Sequence, residues 1–349
     1  MVPPGAYMTR PLSVIILTFN EEANLAAALD SVKGWAAEVF VVDSYSTDRT
    51  VDIALERAAD GVHVVQHRFE NYSDQWNWAL TRLPIRQPWV LKLDADERAT
   101  EAFRREVDAR LFDAEPEEDA FIIHWRLIFM GRWVKWGGLY PNGNIRLWRR
   151  GKGRFGRRDV NEHLLVDGKV GVISSPIDHH DYKSLGHWID RHNRYSAMQA
   201  RALLAGDVIG QTEPRLFGRP EQRRMWLRKL YRRLPGRPLL YFLYRYFLRL
   251  GLLDGSAGFR FIFLHSTYLY WIELKQKEYR ISGELPAIIW PPRGGPHPVV
   301  AASELQRQVD SPLPAPVPLQ DGNAAGSIGE SGWQTADGRE ESLHRAHHS

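Results

Sequence analysis

Three clusters of polar and acidic residues stand where apolar runs end: Thr18-Phe19-Asn20-Glu21-Glu22, Asp43-Ser44-Tyr45-Ser46-Thr47-Asp48 and Asp94-Ala95-Asp96-Glu97. The third promises the most chemistry. Two carboxylates projecting together from the end of a buried strand repel unless a cation lies between them, and hard oxygen ligands suit Mg²⁺ or Mn²⁺. A solvated turn is the competing account. In the second cluster a carboxylate can accept from a base imide or a ribose hydroxyl, while Ser46 or Thr47 can cap the helix that starts near Asp48, and both can hold at once. In the first cluster the side chains can reach a nucleotide, and capping by Asn20 with acids in the first turn explains the same residues.

The elements that would hold these clusters follow from the hydrophobic pattern. From Leu12 to Asp94 short apolar runs (LSVIILT, EVFVVD, VHVVQH, WVLKL) alternate with helical patterns, which predicts βαβ units and a largely parallel sheet. Trp76, Ala79, Leu80 and Leu83 share one helical face. In an open α/β sheet ligands bind beyond the carboxyl ends of the strands, so all three clusters are expected on one edge. After a helix around 100–111, the runs FIIHWRLIF, IRLWRR and VGVI predict antiparallel and mixed strands. Trp125, Trp133, Trp136 and Trp148 fall here; Trp133 and Trp136, flanked by Gly131, Gly137 and Gly138, are candidate sugar platforms, with core filling as the alternative.

From Leu185 the pattern is helical again. Residues 201–250 hold twelve Arg or Lys against three acids, a local charge of +9, and aromatic apolar runs follow at 239–253 and 259–274. Neither run supplies the roughly 20 uninterrupted apolar residues of a spanning helix. Arg224, Arg228 and Arg232, and again Arg245 and Arg249, recur every four residues, a basic amphipathic pattern that suits a membrane surface; nucleic acid and a solvated helical face are the alternatives. Beyond Pro291 the composition predicts a disordered tail. The expected organisation is a flexible start at 1–10, a nucleotide-fold half at 11–125, a mixed-strand half at 126–184 (the donor and acceptor halves under the resemblance given below), a basic helical, membrane-proximal region at 185–285, and a disordered tail at 286–349.

Composition narrows the class. A chain of 349 residues with 44% hydrophobic and 25% charged residues is neither collagen-like nor wholly disordered. Net charge is only +4, so the basic stretch matters more than the total. The lack of cysteine removes disulfides, thiolate zinc sites and Cys nucleophiles, with the cytoplasm as default compartment. No export signal is readable at the N-terminus.

Taken together, LSVIILTFNEEANL, VVDSYSTDRT, QWNWAL and LKLDADE resemble the donor domain of glycosyltransferase family 2, and WGGLYPNGNIRLWRR, DVNEHLLVDGKVG and DHHDYKSL resemble its lipopolysaccharide-core β-1,4-glucosyltransferase branch. The resemblance covers about residues 10–280. It implies a GT-A fold, a Rossmann-like α/β mixed sheet with helices on both faces, followed by a helical C-terminal region. It implies inverting transfer of a hexose, glucose first, from a UDP-sugar to a lipid-linked, lipopolysaccharide-core or exopolysaccharide acceptor, aided by Mg²⁺ or Mn²⁺. Carried onto this chain, Thr18, Asn20, Glu21 and Asp43 would line the nucleoside, with Ser44 and Asp48 beside them. Asp94 and Ala95 would lie on the sugar or ribose side, and Asp96 would bind the metal, with an imidazole of the pair His179-His180, His180 first, serving the metal or the diphosphate. Glu162 is the candidate base, in Val160-Asn161-Glu162 where the branch has V-H-E, and Asp159 is its reserve. Gln75-Trp76-Asn77 departs from the branch's Gln-Lys/Arg-Asn, so Asn77 stays a donor-site candidate while the cation is gone, leaving Arg68, the metal or a helix N-terminus to face the diphosphate. The enzyme is expected on the inner face of the cytoplasmic membrane, with no nucleic-acid partner. A catalytically silent GT-A-like binding module at the membrane surface is the alternative, motivated by Trp76 and Asn161.

Overall fold

The structure is a computed structural model and describes residues 9–156, 164–205 and 236–311, with isolated residues between 215 and 226. Glu162, Asp159, Asn161, Arg224, Arg228 and Arg232 lie outside the described residues. Two compact units are formed. The first comprises 9–133, 140–184 and 291–311, the second 134–139, 185–205 and 236–290.

In the first unit β1 (Arg10–Thr18), β2 (Ala36–Asp43), β3 (Val62–Gln66) and β4 (Trp89–Lys92) are parallel in the order β3-β2-β1-β4. Alternate residues enter two cores. Leu12, Val14 and Ile16 join α1 (Leu25–Val32) on one face, and Ile15, Phe40 and Val42 join α3 (Tyr72–Arg82) on the other. Coverage of both faces explains why these strands read as unbroken apolar runs rather than alternating ones. Helix α2 (Thr50–Leu55) connects β2 to β3.

The sheet continues through β8 (Gly143–Arg149), β6 (Ala120–Phe129), β11 (Val170–His179) and the two-residue β5 (Glu97–Arg98), with β7 (Arg132–Val134) off this path on β6. Helix α4 (Glu101–Val107) precedes β6, and β9 (Gly153–Phe155) with β10 (Leu164–Val166) makes a separate two-stranded ribbon. Strand β8 is antiparallel to both β4 and β6, and so stitches the four parallel strands to the later ones. The division expected at 125/126 therefore falls inside β6, and is no boundary. Sequence adjacency hid this, because β8 pairs with a strand more than fifty residues earlier.

Of the disordered tail expected at 286–349, residues 312–349 lie outside the described residues, and within 286–311 the expectation is corrected. Helices α8 (Pro298–Ala301) and α9 (Glu304–Asp310) bury Val300 in the first core and Val309 in the second. Two apolar anchors suffice to hold a Pro- and Gly-rich segment whose composition alone reads as unstructured.

The second unit contains α5 (Leu185–Leu204), α6 (Arg237–Leu243), a π-helical turn at Tyr244–Leu248 and α7 (Gly255–Ser282). Ala200, Tyr268 and Ile272 form its small core, and Tyr268 Oη donates to Gln199 Oε1 at 2.7 Å. No helix among the described residues is long and apolar enough to cross a membrane. Arg245 departs from the expected basic face: it is 3% exposed, donating from Nε to the Gly137 carbonyl at 2.5 Å and from Nη1 to Tyr241 Oη. The π-helical turn breaks the four-residue spacing that would have stacked it with Arg249 on one surface.

Candidate active site

Strand β4 ends at Lys92, and the turn beyond it gathers Asp94, Asp96 and Glu97. Glu97 is wholly buried, and accepts from the Asp94 N–H at 2.9 Å through Oε2. Such a carboxylate needs a partner. Arg146, 6% exposed, supplies it from Nη1, 2.7 Å from Glu97 Oε2 and 3.2 Å from Asp94 Oδ2, with its guanidinium 5.0 Å from the Trp125 ring centroid. A β-bulge aims it. Phe121 opposes Leu147 while Ile122 opposes Ile145, leaving Arg146 as the extra residue of β8, and such insertions re-aim a side chain. Burial pushes Glu97 up to about 7 despite Arg146, whereas Asp94, also opposed by burial, is held below its ordinary value by Lys92 and Arg146.

The expected imidazole, His180, does not turn to the acids. Its backbone N–H donates to the Asp96 carbonyl at 2.8 Å and its ring lies against Tyr182, with centroids 4.0 Å apart. His179 faces them instead, with Nε2 3.3 Å from Asp96 Oδ2 and Nδ1 3.9 Å from Glu97 Oε1. Extended backbone sends successive side chains to opposite faces, so only one histidine of the pair can look into the cluster. Burial opposes its charge, but Asp96, Glu97 and Asp94 together raise His179 to about 9, an imidazolium at neutral pH.

The first cluster is tied to the same place. Lys183 Nζ lies 2.6 Å from Glu21 Oε1, Asn24 Nδ2 donates to Asp181 Oδ1 at 3.0 Å, and the Tyr182 N–H donates to Asn24 Oδ1 at 2.8 Å. Burial raises Glu21 to about 7, with Lys183 opposing and Asp96 adding to the shift. Arg98 crosses the Tyr182 ring at 4.9 Å and donates to the Asn24 carbonyl at 3.3 Å.

The second cluster is an internal brace. Asp43 is wholly buried and accepts from Thr18 Oγ1 at 3.1 Å, from the Ser46 N–H and Gln66 Nε2, both at 2.9 Å, and from Ser46 Oγ. It presents no spare oxygen to a base, which corrects its expected direct contact. Ser44 is likewise inside, under Gln75 Nε2 at 3.3 Å. Asp48 accepts from the Thr50 N–H at 3.0 Å and the Glu22 N–H at 3.2 Å, and Asn20 Oδ1 accepts from the Thr47 N–H at 2.8 Å, so both stitch the β1 and β2 loops together. Asn77 holds the Phe155 backbone through both amide atoms, each at 3.0 Å, and is anchored away from the acids. Ala95 is buried, while Arg68 is exposed. Trp133 and Trp136 stay exposed, at 37% and 39%, whereas Trp148 is core.

Trp76 has joined the core, stacked on Phe155 with centroids 5.3 Å apart. The Lys92 ammonium lies 5.0 Å from its ring centroid, so a cation remains beside the position where the branch carries one. The motifs gave no sign of Lys92, Arg146 or Lys183 as site residues, and of the pair His179-His180 they favoured the one that turns away from Asp96. Arg146 and Lys183 stand in quoted runs, IRLWRR and DHHDYKSL, but nothing local marks their direction.

The donor set fits a shared divalent ion. Among the described residues no group of three His, Cys, Asp or Glu side chains is placed to hold a metal unaided. Asp94 and Asp96 are hard oxygen donors on one turn, and Mg²⁺ is commonly held by one or two carboxylates with substrate phosphates completing its shell.

A strand-edge carboxylate cluster of this kind coincides with a family match: the model described as glycosyl transferase family 2 matches residues 13–169, from β1 into the turn before β11. The stretch that carries the site is thus similar to glycosyltransferase family 2. The chain is 28% identical over 275 residues to the lipopolysaccharide core biosynthesis glycosyltransferase LpsC of Rhizobium meliloti (strain 1021), covering 74% of this chain and 92% of LpsC. It is 28% identical over 206 residues to the uncharacterized glycosyltransferase RT0209 of Rickettsia typhi (strain ATCC VR-144 / Wilmington), covering 56% of this chain and 68% of the relative. Among solved structures it is similar to S. aureus TarS 1-349, with TM-score 0.38 and 15% identity over 78% of this chain and 92% of that one.

Proposed function

We propose that the protein is a glycosyltransferase that transfers a hexose, glucose first, from a UDP-sugar to a lipopolysaccharide-core or other lipid-linked saccharide, with inversion and with a divalent cation, at the inner face of the cytoplasmic membrane. The observation that carries this reading is the gathering of Asp94, Asp96 and Glu97 around Arg146 and His179 at the carboxyl edge of the sheet. The name of the relative LpsC supports the acceptor class. In the reaction an acceptor hydroxyl oxygen bonds to the anomeric carbon, the bond to the diphosphate oxygen breaks, and UDP leaves with that electron pair. Bound Mg²⁺ or Mn²⁺ would supply Lewis-acid stabilisation of the leaving charge, held by Asp96 with Asp94 beside it. Glu162 would take the hydroxyl proton. Retention of a cation at Lys92, against the Trp76 ring, favours an active enzyme over the silent binding module.

A donor screen tests this directly: UDP release from UDP-glucose should exceed that from other nucleotide sugars and stop with EDTA. Failure with every UDP-sugar would leave the binding module. Glu162→Gln should lower transfer about a hundredfold or more while UDP affinity is kept, since it removes basicity and little volume. Unchanged turnover would pass the role to Asp159.

Membrane contact is supported by the exposed apolar side chains between Leu239 and Phe263, among them Phe247 at 52% and Leu248 at 76%. Exposed apolar side chains in such number mark interaction sites. Replacing both by Ser should reduce flotation with anionic liposomes at least tenfold, because each buried side chain contributes about 1.5–3 kcal/mol. Equal flotation of wild type and variant would remove the membrane from the reading.

A further inference from the structure

The segment 293–306, expected to be unstructured, lies along the carboxyl ends of β1, β2 and β3. Three contacts place it there. The His297 N–H donates to Gln66 Oε1 at 2.7 Å, while Gln66 Nε2 donates to Asp43, so one side chain links the segment to the brace between the first two loops. Gln306 Oε1 accepts from the Gln66 N–H at 3.0 Å. The Gly294 N–H donates to the Tyr45 carbonyl at 2.8 Å, and Tyr45 has a φ of 60°, a conformation uncommon for a bulky residue and one that needs support from its surroundings. Gly294 approaches so closely that a Cβ there would stand 2.9 Å from the Ser46 carbonyl oxygen.

These contacts deliver Arg293. Its guanidinium lies 5.9 Å from the Phe19 ring centroid and 5.7 Å from that of Phe69, and Nη1 donates to the Phe69 carbonyl at 2.7 Å. Desolvation, and then the charge of Arg68, lower its proton affinity, so the two cations stand within reach of each other's field. Neither ion-pairs with a carboxylate among the described residues. Two aromatic rings and a planar fork of donors at a sheet's carboxyl edge match a planar nucleobase bearing carbonyl acceptors.

We infer that residues 293–306 form one wall of the nucleobase site, with Arg293 donating to the base carbonyls of the donor nucleotide. This rests on the UDP-sugar reading and deepens it. It also explains how a base can be read at an edge whose carboxylate, Asp43, is already engaged.

The test is calorimetric titration of the full chain with UDP, uridine and Mg²⁺–pyrophosphate. Arg293→Met should weaken UDP and uridine alike, about tenfold, a loss of the size expected for one charge-assisted hydrogen bond, and leave pyrophosphate binding unchanged. Arg293→Lys should restore part of the affinity. Gly294→Val, which must displace the segment from Ser46, should weaken both ligands at least as much while its thermal midpoint reports whether the fold is kept. Loss of UDP affinity with uridine unchanged would assign Arg293 to the phosphates and overturn the proposal. Wild-type binding that Arg293→Met leaves intact would overturn it too, without touching the donor reading. Absence of UDP binding by wild type would overturn both.

Discussion

Asp96→Ala should lower UDP-sugar turnover by about a thousandfold or more, and the residual rate should no longer respond to EDTA or to added Mn²⁺. Stabilising the charge on a leaving diphosphate is worth several kcal/mol, and about 4 kcal/mol corresponds to a thousandfold in rate. Asp96 stands where that stabilisation would be organised, beside Asp94 on one turn and 3.3 Å from the His179 ring. A merely structural role predicts something else, because Asp96→Asn, which keeps the side-chain shape and an acceptor oxygen for His179, would then largely preserve the rate. The measurement is initial-rate UDP release across a metal titration for wild type, Asp96→Ala and Asp96→Asn. Equal rates and equal metal response in wild type and Asp96→Ala would end the metal-assisted reading.

Arg146→Met should destabilise the first unit by about 3–5 kcal/mol, the usual consequence of removing one partner of a buried ion pair and leaving a buried charge behind. Glu97 is that charge, since it has no exposed surface and Arg146 is 2.7 Å away. Protonation of Glu97 would soften the loss, and so would the flexible Met side chain filling part of the volume beside Trp125. The double variant Arg146→Met/Glu97→Gln should recover most of the stability, because replacing both charges removes the desolvation cost together with the attraction. Urea unfolding followed by tryptophan fluorescence would read both. A loss below about 1 kcal/mol in the single variant, or no recovery in the double one, would mean that the pair does not hold the turn in place.

Much of the parallel part of the first unit was legible because its signals are local. An unbroken apolar run such as Val39 to Val42 must be covered on both faces, and the helical stripe of Leu25, Ala28, Leu29 and Val32 faces one of the two cores. Alternation of such runs with helices predicts a parallel sheet, and a parallel sheet puts every strand end on one edge. That reasoning placed Asp94 and Asp96 correctly with no knowledge of distances. The resemblance to family 2 then attached a chemistry that the family match bears out at the level of glycosyl transfer.

The direction of a side chain was not legible, nor was its partner. Asp43 looked like a ligand for a base because it ends a strand, yet its oxygens are taken by Thr18, Ser46 and Gln66, two of them from neighbouring strands. His179 and His180 are indistinguishable by type, and the pleat alone decides which one meets Asp96. Arg146 faces the acids because of a bulge that depends on how β8 registers against β6. Each of these is a contact across a large separation in sequence, where composition and periodicity carry no information.

Composition and periodicity by themselves determined the class of fold, the edge that bears the acids, the absence of any thiolate chemistry and the basic, aromatic character of the later helices. Only the tertiary structure decided which cation neutralises the buried Glu97, which histidine meets the cluster, and that residues 293–306 return to the carboxyl edge of the sheet. The reason is physical. Apolar burial is roughly additive over a helix or strand and leaves a periodic trace in the chain, whereas pairing a buried charge depends on angles and distances that exist only once the strands are in register.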